Sequence, residues 1–353
     1  MGLRETASKA VFWASFGWII TQVLNFAVSI VTARLLAPEI FGLITLILTI
    51  VSAAAIFADA GTRAALVHFD DPIEDSVSTA MVVLPVVGAI ASLGVAVFSW
   101  QIADFYGEPR LQPLAVALSG ILFIQTLSIV PDALLQRRFD LKLRRGLIDP
   151  LSVLLYGIVV IVLAVAGANE WALVAGQYAS VGTVTVGCFI LAKPRFRAGR
   201  ATVATWRRIA KYGRHLLVTN IIEVAQSQAA PVALGRNVSA TSVGLYGAGN
   251  RLSTLPVTGI THVAGQVIFP ALSRLQGEPE RMRARFLESL RLISLLTIPM
   301  CVFLMGMGEP LVVVLFGERW RGAGTVLQIL AVWGLCHSMT GVAREAFKAA
   351  GVP

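Results

Sequence analysis

The chain has 353 residues, of which 56% are hydrophobic and only 14% are charged. About a quarter of the residues in soluble domains are charged, so this composition excludes an ordinary water-soluble protein and indicates a chain surrounded by lipid. The net charge is +9, but the basic residues lie between apolar runs and are not interleaved with aromatics as on a nucleic-acid-binding surface. We therefore expect no nucleic acid partner.

Ten apolar runs are long enough to form membrane helices, which need about 20 residues. The first run is too long for the core of a signal peptide and has no small-residue cleavage site, so we expect it to remain in the protein. The pattern predicts an all-α integral membrane protein of about ten transmembrane helices, at 12–35, 40–60, 78–100, 112–134, 148–168, 171–192, 213–234, 242–268, 289–308 and 324–343.

Basic residues are distributed unevenly among the loops that join these runs. With the N-terminus inside the cell, the inside segments carry 23 Lys and Arg residues and the outside loops carry 5. Because Lys and Arg favour cytoplasmic loops, the sequence predicts a multi-pass protein of the cytoplasmic (inner) membrane with a cytoplasmic N-terminus. The basic loops are also expected to contact anionic membrane lipids.

A basic cytoplasmic connector at 193–212 divides the sequence into two parts. Residues 1–192 are expected to form an N-terminal lobe of six transmembrane helices. Residues 213–353 are expected to form a C-terminal lobe of four. The longest loop of the chain thus predicts two lobes.

The seventh apolar run repeats the polar pattern of the first. Both runs begin on the same side of the membrane, so the two halves are parallel repeats about an axis along the membrane normal. Internal repeats around a central site are typical of secondary transporters. The matching residues are Thr21, Gln22, Asn25 and Ser29 in the first run and Thr219, Asn220, Glu223 and Ser227 in the seventh.

Polar residues fall on one face of the first, second, seventh and eighth helices when these are drawn at 100° per residue. Polar groups inside a membrane usually face a watery cavity or pathway, although a single Ser or Thr can instead bond its own helix backbone. We expect the four faces to line a substrate cavity. Its predicted residues are Gln22, Asn25, Arg34, Arg63, Asn220, Gln226, Asn250 and Arg251.

Three ionisable residues within the runs have open alternatives. Asp59 is four residues before Arg63, a spacing that favours an ion pair, and a role in ion coupling is the alternative. Glu223 can couple transport to an ion through titration of a buried carboxylate, or be a hydrogen-bonded structural residue. Arg251 can bind an anionic headgroup or pair with a carboxylate.

Several short segments together resemble one known family. They occur in the family's order along most of the chain, and they are closest to the Wzx-type (PST) polysaccharide flippases of the multidrug/oligosaccharidyl-lipid/polysaccharide superfamily. The segments are Ala33–Gly42, Asp59-Ala60-Gly61, Leu135-Gln136-Arg137, Phe269–Arg274 and Leu315–Trp320.

This resemblance implies a flippase that works by alternating access. Its substrate would be an oligosaccharide on undecaprenyl pyrophosphate, moved from the cytoplasmic to the outer leaflet for lipopolysaccharide or exopolysaccharide biosynthesis. A polysaccharide polymerase and glycosyltransferases of the same pathway are implied partners. Guanidinium groups suit phosphate, so Arg34, Arg63, Arg251 and Arg236 are expected to attract the pyrophosphate. The family has more membrane helices than the ten counted here, so the second lobe is expected to be incomplete.

Two other functions are weighed against the flippase. A cation-coupled multidrug exporter of the same superfamily should have a more apolar cavity. A membrane polysaccharide polymerase or glycosyltransferase should have a large outside loop or carboxylates placed for a metal or a general base. The sequence has neither, and its His and Cys residues are not clustered as metal ligands. It therefore predicts no enzyme, no metal and no cofactor.

Overall fold

The structure is a computed structural model that describes residues 3–69, 73–138, 143–194, 201–273, 275 and 278–349. Part of the predicted connector, 195–200, lies outside the described residues. The chain divides into two compact units, Met1–Val243 and Gly244–Pro353.

The described residues of the first unit contain nine α-helices that lie wholly within it. The second helix begins with Pro38 at its first position, where a missing N–H costs no hydrogen bond. Only two residues separate it from the end of the first helix at Leu35. Short helices that the sequence did not predict follow the second and third membrane helices. The nine are α1 (Leu3–Leu35), α2 (Pro38–Asp59), α3 (Thr62–His68), α4 (Ile73–Val97), α5 (Ser99–Tyr106), α6 (Leu111–Arg137), α7 (Asp149–Val165), α8 (Glu170–Ala192) and α9 (Val203–Asn237).

The described residues contain eight helices that are long and apolar enough to cross a membrane. They correspond to the first six and the last two predicted runs, which confirms a helical, multi-pass membrane protein. The other two runs, 213–234 and 242–268, fall in α9 and in α10 (Ala240–Ser273), which have 35 and 34 residues. Both helices are long enough to span, but neither is among the eight.

Two apolar clusters hold the first unit together. The larger cluster joins α2, α6 and α8 through residues such as Leu43, Leu118 and Leu173, which are at most 1% exposed. The smaller cluster joins α3, α4, α6 and α8, and Trp206 of α9 packs against it. Since lipid already solvates the outer surface, tight packing and polar contacts rather than burial alone must fix the helices to one another.

Contacts along its whole length attach α9 to the first unit. The Thr49 hydroxyl donates to the side-chain Oε1 of Gln228 at 2.9 Å, and Gly235 leaves room for the side chain of Leu46. Near the end of α9, the Arg236 guanidinium lies 4.2 Å from the Phe105 ring and donates to the Phe105 carbonyl at 3.2 Å. These contacts group α9 with the six preceding membrane helices, whereas the lobe boundary predicted at 193–212 stays a prediction.

The closest approach in this unit joins the turn after α2 to the first half of α9. Ala60 and Gly61 have φ values of 45° and 73°, a left-handed conformation that Gly adopts without a steric cost. A Cβ on Gly213 would lie 1.8 Å from the Ala60 carbonyl oxygen, and one on Gly61 would lie 2.6 Å from the Gly213 Cα. Only a pair of glycines permits this backbone contact.

The second unit contains most of α10 together with α11 (Pro279–Phe316) and α12 (Arg321–Ala349). Its last two helices meet through small residues, because a Cβ on Gly324 would lie 2.4 Å from the Glu309 Cα. Close backbone contact of this kind is typical of helix pairs in membranes. An ion pair of 2.8 Å between Arg321 and Glu309 lies beside it.

The glycine contact gives a first prediction. We expect Gly213→Ala to lower the free energy of unfolding by about 1–3 kcal/mol, the usual cost of overpacking, because its methyl group would overlap the Ala60 carbonyl. The matched control is Gly182→Ala, at a helical position of α8 with no atom within 4 Å of the added Cβ. Thermal unfolding in detergent measures both, and equal midpoints for the two variants would contradict the assignment.

Candidate functional site

A buried carboxylate, Asp132 of α6, is the centre of the site. It is 4% exposed, and charged groups at such depth are costly unless they are paired. Its Oδ1 accepts a hydrogen bond of 2.8 Å from Arg144 Nε. Its Oδ2 accepts one from Arg63 Nη1 and one of 3.0 Å from Gln136 Nε2. Two guanidinium groups therefore neutralise one carboxylate.

Local backbone features bring the two arginines to Asp132. The left-handed turn at Ala60 and Gly61 starts α3 in a new direction and so places Arg63 beside α6. A π-helical turn, Arg144–Ile148, precedes α7 and carries Arg144. Such turns are rare and are frequent at functional sites. Arg144 also forms an ion pair with Asp149, at the start of α7.

The predicted ion pair between Asp59 and Arg63 is wrong. The Asp59 carboxylate accepts a hydrogen bond of 3.2 Å from the backbone N–H of Arg63, while the Arg63 guanidinium pairs with Asp132. The prediction assumed one continuous helix, in which residues four apart share a face. The break after Asp59 removes that geometry, and the carboxylate instead satisfies a free N–H in the first turn of α3.

These charged groups line a cavity of about 350 Å³. The cavity lies among α2, α3, α6, α8 and α9, all in the first unit. Its lining combines two cations, two carboxylates, two amides and two hydroxyls with a few apolar side chains. The polar lining residues are Asp59, Arg63, Gln125, Thr126, Ser128, Asp132, Arg144 and Asn220.

Three of the ten residues predicted for the substrate cavity or ion coupling meet here, namely Asp59, Arg63 and Asn220. The other seven are not among the described lining of this cavity. Gln22, Asn25 and Arg34 lie on α1; Glu223 and Gln226 are exposed on α9; and Asn250 and Arg251 belong to the second unit.

Arg34 lies at the end of the bundle opposite Arg63. It is in the last turn of α1, and α2, which separates it from Arg63, has 22 residues. At 1.5 Å per residue that helix is about 33 Å long. Arg236, at the end of α9, lies beside Phe105, which belongs to the same opposite end. One phosphate therefore cannot contact Arg63 and either of these residues at the same time.

Many hydroxyls of the predicted polar faces are satisfied by their own helix. Thr21 and Thr32 of α1 donate to the carbonyls of Gly17 and Val28, both at 2.8 Å. Thr45 of α2 donates to the Phe41 carbonyl at 2.8 Å. These residues make the backbone hydrogen bonds that the structural alternative expects, and their place in a substrate cavity stays a prediction. An amphipathic pattern of hydroxyls alone does not distinguish a cavity wall from back-bonded helix positions.

Sequence reasoning gave no role to Asp132, Arg144 or Gln125. Asp132 was visible as an acid inside an apolar run, and a buried carboxylate requires a cation. Its partner could not be identified, because Arg144 is one of several basic residues close together after Asp132 and nothing in their spacing shows which of them pairs with it. Among the residues that the structure describes, no cluster of three or more His, Cys, Asp or Glu could hold a metal ion.

Comparison with solved structures shows the fold. The chain is similar to the lipid II flippase MurJ in an inward closed conformation, with a TM-score of 0.76 and 12% identity over 96% of this chain and 76% of that one. It is also similar to an outward-facing multidrug resistance MATE family transporter of the MOP superfamily, with a TM-score of 0.55 and 15% identity over 97% and 82% of the two chains. The chain thus shares the fold of these two proteins.

Sequence comparison shows the family. The model of the family described as polysaccharide biosynthesis protein matches residues 31–325, and the chain belongs to this family. It is 26% identical to the succinoglycan biosynthesis transport protein ExoT of Rhizobium meliloti, over 93% of this chain and 66% of that protein. It is also 26% identical to the lipopolysaccharide biosynthesis protein WzxC of Escherichia coli, over 96% and 69%. The chain thus spans about two thirds of the length of these relatives.

The buried charge cluster gives a second prediction. We expect Asp132→Asn to lower the free energy of unfolding by about 3–5 kcal/mol, the range for breaking a buried ion pair. Most of this loss should come from the broken pair with Arg144. The Arg144 side chain is 15% exposed, whereas that of Arg63 is 41% exposed and water screens its contribution. Asp59→Asn is the control, because Asp59 accepts one backbone N–H.

Unfolding in detergent, followed by circular dichroism, measures the stability of both variants. A loss for Asp59→Asn as large as that for Asp132→Asn would show that Asp132 is not the centre of the cluster.

Proposed function

We propose that the protein is a flippase that moves an undecaprenyl-pyrophosphate-linked oligosaccharide from the cytoplasmic to the outer leaflet, for lipopolysaccharide or exopolysaccharide biosynthesis. The observation that carries the proposal is the cavity that holds Arg63 and Arg144 beside amide and hydroxyl groups. The transport and lipopolysaccharide names of the relatives, and the flippase fold, support the same reading.

Arg63 is suited to bind the pyrophosphate. Its guanidinium is 41% exposed and shares Asp132 with Arg144. Phosphate oxygens match the fork of donors in a guanidinium, so an incoming phosphate can replace Asp132 as the partner of Arg63. Asp132 keeps Arg144 as its partner. Asp149, which Arg144 also contacts, has Arg145 as a further cation at 3.7 Å. The exchange therefore leaves no charge unpaired.

The neutral polar groups of the cavity are suited to sugar hydroxyls. The Thr126 and Ser128 hydroxyls donate to the carbonyls of Phe123 and Gln125 at 2.7 and 2.8 Å. Their oxygens keep acceptor capacity for an O–H of the substrate. The amides of Gln125 and Asn220 add donors and acceptors on two other walls. A cavity of about 350 Å³ fits the phosphates and the first sugar.

The orientation predicted from the basic residues would put this cavity at the cytoplasmic end of the first unit. Its lining includes the end of α2, Arg63 of α3 and Arg144 of the π-helical turn before α7, which lie in or beside segments that the excess of Lys and Arg predicts to be inside. A lipid-linked sugar assembled on the inner leaflet would meet the cavity there. Rocking of the two predicted lobes would then expose the site to the outer leaflet. The polymerase and glycosyltransferases of the pathway are partners of this scheme.

Asp59 is our candidate for ion coupling, with Glu223 as the alternative. Asp59 lies beside Arg63 and shares the cavity with it. Ionised, Asp59 repels a phosphate at Arg63; protonated, it does not. Substrate binding and protonation of Asp59 would therefore favour each other, which is reciprocal linkage between two ligands.

The first functional prediction concerns Arg63. We expect Arg63→Gln to weaken binding of undecaprenyl pyrophosphate about ten- to a hundred-fold, the effect of one charge-assisted contact of roughly 1.5–3 kcal/mol. Arg63→Lys should weaken it less. The control is Arg110→Gln, which removes the same charge from an ion pair with Glu39, at the start of α2.

Binding is measured on the purified protein by microscale thermophoresis, and flipping by reconstitution with a fluorescent lipid-linked oligosaccharide. Equal affinity for the Arg63 and Arg110 variants would exclude the cavity as the pyrophosphate site.

A second functional prediction follows from the position of Asp59. Wild-type protein should bind undecaprenyl pyrophosphate more tightly at acidic than at neutral pH, because protonation removes the negative charge beside Arg63. Asp59→Asn should bind tightly at both pH values and lose most of this dependence. The measurement is the dissociation constant at each pH for the two proteins. An unchanged pH dependence in Asp59→Asn would reject Asp59, and the same experiment on Glu223→Gln then tests the alternative.

A further inference from the structure

A second cavity, of about 500 Å³, lies at the start of α9. It shares no described lining residue with the Asp132 cavity. Its lining combines two cations with two aromatic rings and a leucine: Arg208, Lys211, Phe69, Tyr212 and Leu216. The cations suit an anionic group, and the apolar wall suits a hydrocarbon chain attached to it. A freely soluble anion has no such chain and would leave the apolar wall without a partner.

Contacts between the side chains fix this cavity. The Arg208 guanidinium lies 4.7 Å from the centre of the Phe69 ring, and its Nη2 donates to the Ser76 hydroxyl at 3.4 Å. Tyr212 stacks on His68 at 5.1 Å and meets Phe69 edge to face at 5.6 Å. The walls are therefore positioned before a ligand arrives, which lowers the entropic cost of binding.

The position of the cavity along α9 corresponds to the headgroup level of a membrane. Four cations lie within one short stretch, Arg207 to Arg214, and the apolar part of the helix begins at Leu216. Tyr212 lies in this stretch and Trp206 directly precedes it, and such aromatic residues are enriched at membrane–water interfaces. The cavity is thus placed where a phospholipid presents its phosphate above its acyl chains.

We infer that this cavity, which we call the α9 headgroup site, binds the phosphate of an anionic phospholipid of the surrounding membrane. Arg208 and Lys211 contact the phosphate, and Phe69 and Leu216 contact the upper acyl chain. Such a lipid would also hold the start of α9 in place. Lys211 and Tyr212 directly precede Gly213, whose backbone packs on the turn that positions Arg63. The inference does not depend on the substrate that the protein transports.

A double substitution with a matched control tests the site. Arg208→Gln/Lys211→Gln removes both cations of the cavity. Arg207→Gln/Arg214→Gln removes two cations from the same helix that are not among the described lining. The association of spin-labelled phosphatidylglycerol, relative to spin-labelled phosphatidylcholine, is measured by electron paramagnetic resonance on each protein in phosphatidylcholine vesicles.

We expect the wild type to prefer phosphatidylglycerol and the Arg208/Lys211 variant to lose roughly five-fold for each cation removed. The Arg207/Arg214 variant should lose clearly less. Equal losses in the two variants would mean that surface charge alone attracts the lipid, and would overturn the site. Displacement of the labelled lipid by inorganic phosphate at physiological concentration would also overturn it, because the ligand would then be the free anion.

Circular dichroism and the elution volume in detergent check that each variant folds. Should the double variant fail this check, Lys211→Gln alone is tested. We expect it to lower the association of phosphatidylglycerol roughly five-fold, and no loss would overturn the site. As an independent readout, phosphatidylglycerol should raise the unfolding temperature of the wild type more than that of the Arg208/Lys211 variant.

Discussion

The pairing of one buried carboxylate with two guanidinium groups is the constraint on which the functional end of this protein depends. Asp132 would be too costly to bury alone, so α6 must keep the segments that carry Arg63 and Arg144 beside it. Three separate stretches of the chain are thereby brought to one place. Because Asp149, the second carboxylate beside Arg144, also has Arg145 at 3.7 Å, each carboxylate of the cluster would keep a cation if Arg63 took another partner.

Close backbone packing against α9 also constrains the position of Arg63 at the Asp132 cavity. The turn at Gly61 determines where Arg63 points, and it packs directly on the Gly213 backbone. Asn220 follows Gly213 by two helical turns and so faces the cavity from α9. Electrostatics on α6 and packing on α9 thus determine one geometry together.

The sequence predicted the membrane class, the number of helical runs and the family, since all three depend on long apolar segments and on motifs read in order. It predicted the site only in part. Asp59, Arg63 and Asn220 meet, but the partner of Arg63 was misassigned, because a helix break at Ala60 and Gly61 is a local backbone event that periodicity does not encode. A face of hydroxyls is ambiguous in sequence, because a hydroxyl can bond its own helix backbone both on a cavity wall, as Thr126 does, and away from one.

Two of the segments that carry the family resemblance meet at the cavity. Asp59-Ala60-Gly61 supplies the carboxylate and the turn, and Gln136, between Leu135 and Arg137, donates to Asp132. A strained turn and a buried charge are not needed for a stable helix bundle. When segments that are typical of a transport family contain such features, we expect them to lie at its binding site. A buried ion pair adds little net stability compared with apolar packing. Its presence at the end of these helices therefore supports our proposal that Arg63 exchanges Asp132 for an anionic ligand.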